Sequence, residues 1–282
     1  MVRWRLGLTA VGLAAALGVV WAAGSALTAP ALRSVEAPAD LHVESVWIRS
    51  PSGRLAAWVV PADSARGVVV LMHGVRADRS SQTDRIRLFR DAGYHTVAFD
   101  FQAHGESPGD AITFGWRERA DAVAAVAFAR GRFPELPLAV VAQSMGGAAA
   151  ILAGRQLGAD ALVVEAVYES VERATRNRLA MRLGRVGAIA APLLIAQLQP
   201  RLGISADSLR PARAVSQLGV PLFVLSGSED RHARPDEARV IYDAAPEPKA
   251  LWIVSGAAHQ DLYRYAPAAY RARVLGFLDL HL

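Results

Sequence analysis

Along most of this chain, apolar residues fall into short β-branched runs separated by segments whose apolar positions recur at helical spacing. GVVVLM (67–72), HTVAFD (95–100), LAVVA (138–142), ALVVEA (161–166), PLFVLS (221–226) and ALWIVS (250–255) are runs of the kind carried by strands buried on both faces. Val43–Arg49 and Leu55–Val60 are also strand-like and flank the turn residues Ser50-Pro51-Ser52-Gly53. Between the runs the period changes. Residues 81–92 read as an amphipathic helix, and Ala120, Val123, Ala124 and Ala127 share one face of a helix over 117–129. Segments 148–157, 236–244 and 267–280 complete the series. Two antiparallel opening strands followed by alternating strand and helix predict an α/β fold: a mostly parallel eight-stranded sheet with helices on both faces.

Two stretches break the alternation. Leu6 to Leu27 carries no charge, and its length matches the ~20 residues a helix needs to cross a bilayer. This predicts an N-terminal membrane anchor over 1–27. A cleaved signal peptide is the alternative, since Ala23-Gly24-Ser25 has small residues at cleavage spacing, but the run exceeds a usual signal core. Arg3 and Arg5 precede the span, so the positive-inside bias places the main domain outside the cytoplasm as a single-pass protein, or secreted if processed. Residues 28–41 read as a Pro/Ala linker, and 42–282 as one domain. The second break is the long interval between the runs ending at Ala166 and starting at Pro221. There Leu179, Leu183, Val186, Ala190 and Leu193 form an apolar stripe beside Arg178, Arg182 and Arg185. An insertion of that size reads as a helical lid over about 168–210, or as extra packing.

Composition narrows the chemistry. The net charge is +5, from 31 basic and 26 acidic residues interleaved along the chain without a basic block, so no nucleic-acid partner is expected. The chain has no cysteine, which excludes disulfides, thiolate nucleophiles and zinc–cysteine sites. Ligands of such sheets bind beyond the carboxyl ends of the strands, and the unusual residues cluster there: His73-Gly74, Asp100, Ser144, Asp230 and His259.

Ser144 lies in VVAQSMGGAAA, where an apolar strand turns at once into small residues. A serine hydroxyl needs a neighbouring base and must stand clear of the backbone to reach an acyl carbon. A sharp strand-to-helix turn provides that exposure but crowds positions two before and two after, here Ala142 and Gly146. The following helix presents its N–H groups to the site, so Met145 N–H is a natural oxyanion donor. Val75 N–H, beside Gly74, is the expected second donor.

The segment from Ala142 to Gly147 resembles the nucleophile elbow of the α/β-hydrolase superfamily, and His73-Gly74 its oxyanion loop. DFQAHGES is similar to the segment after that family's next strand, although Gln102 and Ala103 stand where Arg and Gly are usual. TFGWRERADAVAAVAF resembles the following helix of a membrane-anchored subgroup, the Bem46-like or serine aminopeptidase S33-like proteins. The resemblance implies an α/β-hydrolase fold over 43–282 and a triad in the order Ser144, Asp230, His259. Asp230 sits in SGSEDRHARP, which resembles the family's acid loop; Glu229, Glu165 and Asp261 are its rivals. His259 lies on a Gly/Ala loop after the last strand. His73 and His104 read as structural, His42, His95 and His281 fall outside the site, and His232 is too near Asp230 in the chain for the expected arrangement.

The expected activity is that of a serine hydrolase, cleaving a carboxylic ester, amide or thioester through an acyl-enzyme on Ser144, with no metal or organic cofactor. The same triad would serve an acyltransferase, and a non-catalytic hydrolase-like binding protein is the remaining alternative. The anchor, the lid stripe and its arginines suggest a small-molecule or lipid-like acyl substrate.

Overall fold

The computed structural model describes residue 15 and residues 17–282. Among the described residues ten strands form in chain order: β1 (Ala31–Leu32), β2 (Glu44–Ser50), β3 (Gly53–Val60), β4 (Gly67–Met72), β5 (Tyr94–Phe99), β6 (His104–Gly105), β7 (Leu138–Gln143), β8 (Ala161–Glu165), β9 (Leu222–Gly227) and β10 (Lys249–Val254). Eight of them build one sheet in the order β10-β9-β8-β7-β4-β5-β3-β2. β2 pairs antiparallel with β3, and β3 with β5; the other pairs are parallel. The expected α/β-hydrolase architecture is therefore the observed one, with each of the eight strand-like segments read from the sequence a strand.

Alternation along the strands shows why both faces must be covered. Val68, Val70 and Met72 of β4 join one core, while Val69 and Leu71 join the other. All five are fully buried, each worth roughly 1.5–3 kcal/mol relative to exposure. The first core is closed by α2 (Glu118–Arg132), α3 (Met145–Ala153) and α7 (Pro235–Ala244), the second by α1 (Thr83–Asp91) and α9 (Pro267–His281).

Between β8 and β9 lies the expected helical insertion. α4 (Val171–Ile195) is capped by Ser170, whose side chain accepts from Arg173 N–H, and kinks at Gly184 (φ 60°, ψ −144°). α5 (Leu198–Leu202) follows, then the short α6 (Pro211–Ala214). The apolar stripe read from the sequence does not sink into the core: its Leu183, Val186 and Leu193 are 61%, 73% and 49% exposed.

Residues 17–28 are helical. No helix among the described residues is long and apolar enough to cross a membrane, so the expected span over 6–27 finds no support among them, and its residues 6–14 and 16 lie outside the described part. The stretch 28–41, expected as a linker, is laid on the domain: Ala31 and Leu32 pair with His104 and Gly105, and Ile112 N–H donates to Thr28 O at 2.8 Å.

Candidate active site

β7 ends at Gln143 and α3 begins at Met145, so one residue makes the whole turn. Ser144 takes φ 48°, ψ −112°, a conformation that costs a non-glycine residue about 1–3 kcal/mol. The strain is held by neighbours on both sides. Ser144 N–H donates to Glu165 O at 2.8 Å, and Ala148 N–H donates to Ser144 O at 3.0 Å. Gly146 is required by close approach, because a Cβ there would meet His73 O at 2.6 Å and Met72 O at 3.0 Å. The small residues noted in the sequence thus bring the elbow against the loop that follows β4.

That loop is fixed by His73. Its Nδ1–H donates to Gly74 O (2.7 Å), and its Nε2 accepts Phe101 N–H (3.0 Å). Burial, aided by the neighbouring His104, pushes its pKa down to about 3, so the ring stays neutral in this tautomer. His104, also depressed by burial, bonds Gln102 O. Both histidines are structural, as the sequence reading holds. Val75 follows in the loop and lines one cavity with Ser144 and Met145. Neither the Val75 nor the Met145 N–H is spent on a loop or side-chain acceptor among the described residues, which leaves both free for an oxyanion.

Asp230 and His259 meet at the ends of β9 and β10. Asp230 Oδ1 accepts the N–H groups of His232 (2.8 Å) and Ala233 (2.9 Å), which aims Oδ2 at His259 Nδ1, 2.7 Å away. With Nδ1–H engaged, Nε2 carries the lone pair a general base needs. The rival carboxylates are committed elsewhere. Glu229 points to solvent while Asp230 is buried: the strand ends at Gly227, and a turn closed by Asp230 N–H donating to Gly227 O at 3.3 Å sets the two side chains apart. Glu165 binds Arg85, and Asp261 binds Arg85 and caps the short helix α8 (Leu262–Tyr265). Asp100, grouped with the strand-end candidates in the sequence, does not line the cavity; its carboxylate is buried on Arg79 and on the Glu106 N–H.

His232 is the residue sequence reasoning passed over. Its ring lies 4.8 Å from that of His259, and it is His232 that lines the cavity on which Ser144 opens. Burial first, then the adjacent His259, lower its pKa and favour the neutral form. No hydrogen bond joins the Ser144 hydroxyl to His259 among the described residues. Such bonds are commonly long in ligand-free enzymes and tighten only in the reacting complex. The adjacency of His232 to His259 was hidden because two residues of separation said nothing about which way its ring would turn.

The cavity holds about 510 Å³, within the usual 300–1,000 Å³ of a small-molecule site. Phe114, Met145, Tyr168, Ala174, Met181 and Leu194 give it an apolar lining. Every charged side chain on its wall among the described residues is an arginine: Arg76, Arg178, Arg182 and Arg201. Among the described residues, no group of three or more His, Asp or Glu side chains is placed to hold a metal ion.

Comparison with known proteins agrees with this geometry. The Serine aminopeptidase, S33 family model matches residues 63–210, just over half of the chain, a stretch that contains Ser144 and stops short of Asp230 and His259. The chain is 24% identical over 225 residues to the uncharacterized protein YqkD of Bacillus subtilis, covering 78% of this chain and 73% of that one. It is 24% identical over 187 residues to human Protein ABHD12B, covering 63% of this chain and 49% of that protein. Among solved structures, an esterase of Pyrococcus furiosus superposes with a TM-score of 0.74 at 21% identity, covering 90% of this chain and 98% of that one. The acylaminoacyl peptidase of Pyrococcus horikoshii superposes with a TM-score of 0.63 at 15% identity, covering 85% and 41%. With the fold, the strained elbow and the family match in agreement, this chain belongs to the serine aminopeptidase S33 family of α/β-hydrolases.

Proposed function

We propose that the protein is a serine hydrolase that cleaves carboxylic esters through an acyl-enzyme on Ser144. His259 Nε2 takes the hydroxyl proton as Oγ attacks the carbonyl carbon, and the carbonyl π electrons move to oxygen. The Met145 and Val75 N–H groups face that oxyanion. As it collapses, the ester C–O bond breaks and His259 returns the proton to the departing alcohol. Water then repeats the sequence, its proton going to His259, and the acid is released. Asp230 holds the imidazole and stabilises its cationic form.

The observation that carries the choice of ester over an amino-terminal peptide is the cavity wall. An aminopeptidase must hold a substrate ammonium group, which calls for carboxylates or carbonyls facing it. The charged groups on this wall are all guanidinium ions, which repel an ammonium and accommodate neutral or anionic acyl substrates. The names of the structural neighbours lean the same way, since several are esterases.

Within the family we place the chain with the membrane-tethered, Bem46-like members, on the strength of TFGWRERADAVAAVAF and the uncharged run 6–27. The lid supports this reading: exposed Leu183, Val186 and Ile189 stand near Arg182 and Arg185, the pairing that suits an anionic bilayer surface. Lipid-like esters are then the natural substrates.

The test is labelling by a fluorophosphonate together with turnover of an ester panel. Ser144→Ala should lose both, and Asp230→Asn should lower turnover by about 10³- to 10⁴-fold. Labelling that survives in Ser144→Ala rejects this serine as the nucleophile. Unchanged turnover of long-chain esters presented in anionic vesicles after Leu183, Val186 and Ile189 are each replaced by serine would reject the lid as the membrane-facing surface.

A further inference from the structure

The N-terminal helix does more than lead away from the domain. Its last turns lie against the lid and close the cavity over Ser144. Gln197 Nε2 donates to Val20 O at 2.9 Å. Arg201 donates to Trp21 O and to Ser25 Oγ, both at 2.8 Å, and its guanidinium stacks 4.1 Å from the Trp21 ring. From the other side, Arg76, next to the oxyanion loop, donates to the carbonyls of Ala26 and Ala29 at the end of the helix. The Ala26 carbonyl is one that a helix end leaves unpaired, so the Arg76 cation meets the negative end of its dipole. Gly24 sits at the crossing, where a Cβ would stand 2.1 Å from Gln197 Oε1. The strand pairing of Ala31–Leu32 with His104–Gly105 then anchors the segment to the domain.

The consequence is a wall. Ala23, Gly24, Ala26, Leu27 and Thr28 line the same cavity as Ser144, Met145 and Val75. We infer that residues 23–28 are part of the substrate site, limiting the length of acyl chain it accepts, and that they stay attached in the mature protein. The inference rests on the serine-hydrolase reading for its substrate. The small side chains of Ala23 and Ala26 leave the space an acyl tail would occupy, and Leu27 bounds it. Cleavage after Ser25 would delete Ala23 and Gly24 and release the contacts made by Arg201.

The experiment uses the full chain in a fluorinated surfactant, which does not compete for an acyl pocket. Straight-chain p-nitrophenyl esters from two to twelve carbons are compared for wild type, Ala26→Trp and Leu27→Ala. Filling the wall with Ala26→Trp should lower kcat/KM for the ten-carbon ester at least tenfold relative to the two-carbon ester. Leu27→Ala should move the preferred length up by one or two carbons. In parallel, decanoate binding is measured by calorimetry on the same wall variants carrying Ser144→Ala, where turnover plays no part. Ala26→Trp should weaken it at least tenfold. If no ester is turned over, the esterase reading fails while the binding arm still judges the wall. If chain-length selectivity and decanoate affinity both stay within twofold of wild type, or if wild-type chain binds no decanoate, the wall is refuted. Mass spectrometry of the chain recovered from a bacterial membrane should find residues 23–28 retained, and a mature chain beginning at or beyond Ala26 overturns the inference.

Discussion

Replacing Arg85 by methionine tests how the rival carboxylate Glu165 is kept out of the chemistry. Arg85 is wholly buried, and its Nη2 and Nε reach Glu165 at 2.6 and 3.2 Å. Its Nη1 reaches Asp261 at 2.7 Å, and Nε also faces the Tyr270 hydroxyl at 3.3 Å. Burial opposes the charge on Arg85, but Glu165, Tyr270 and Asp261 together outweigh it and raise its pKa above the usual value. Arg85→Met removes the cation and leaves the Glu165 carboxylate, 1% exposed, with only the Tyr270 hydroxyl. An uncompensated buried charge of this kind costs about 3–5 kcal/mol. Asp261 adds little, since its side chain is 23% exposed and can be hydrated. Glu165→Gln alone should cost less, about 1–3 kcal/mol, because Arg85 keeps Asp261 and the amide oxygen still accepts. The decisive quantity is the sign in the double variant. On the Arg85→Met background, Glu165→Gln removes the stranded charge and should raise stability by 1 kcal/mol or more. Urea unfolding of all four proteins, with slopes compared to check that the unfolded states match, measures the cycle. A Glu165→Gln effect of the same sign and size in both backgrounds would refute the pairing as the source of the stability.

Two further outcomes follow from the geometry. Asp121 has a folded pKa raised to about 6 from 3.8, chiefly by burial, so folding disfavours its ionised form. That cost is full above pH 6 and gone below about pH 4. An amide cannot accept at both positions where Asp121 takes the Ser50 and Ser52 hydroxyls and the Gln102 N–H, so Asp121→Asn carries a fixed cost, but its stability relative to wild type should rise by about 3 kcal/mol from pH 4 to pH 8, as read from unfolding midpoints at each pH. His73 works in the opposite direction, its folded pKa of about 3 lying below the ordinary 6.5, so stability is lost as pH falls from 6.5 towards 3. With Asp121 gone this acid loss stands uncompensated, and the variant's stability should fall more steeply below pH 6 than wild type's. Gly146→Ala places a Cβ 2.6 Å from His73 O, so the elbow or the oxyanion loop must give way. It should cost about 1–3 kcal/mol in denaturant titration and slow fluorophosphonate labelling at least tenfold.

The sequence by itself determined the elements, the elbow and the order of its chemistry. Strand runs, helical spacing and small residues at Ala142 and Gly146 are local properties, written in neighbours within one or two turns of each other, and they survive any tertiary arrangement. The choice of Asp230 over Glu229 rests on the resemblance of SGSEDRHARP to the family's acid loop, and it is the turn after Gly227 that buries the one and exposes the other. Tertiary structure decided the rest. Arg85 meets partners 80, 176 and 185 residues away, and no periodicity relates such positions. His232 entered the site only when Asp230 accepted its N–H and turned the loop under His259. The N-terminal helix reads, as a string, like an uncharged leader with small residues. Its place over Ser144 depends on Gln197 and Arg201, which lie more than 170 residues further along the chain. Hydrophobicity records that a segment must leave water, and only the packed chain specifies the surface against which it does so.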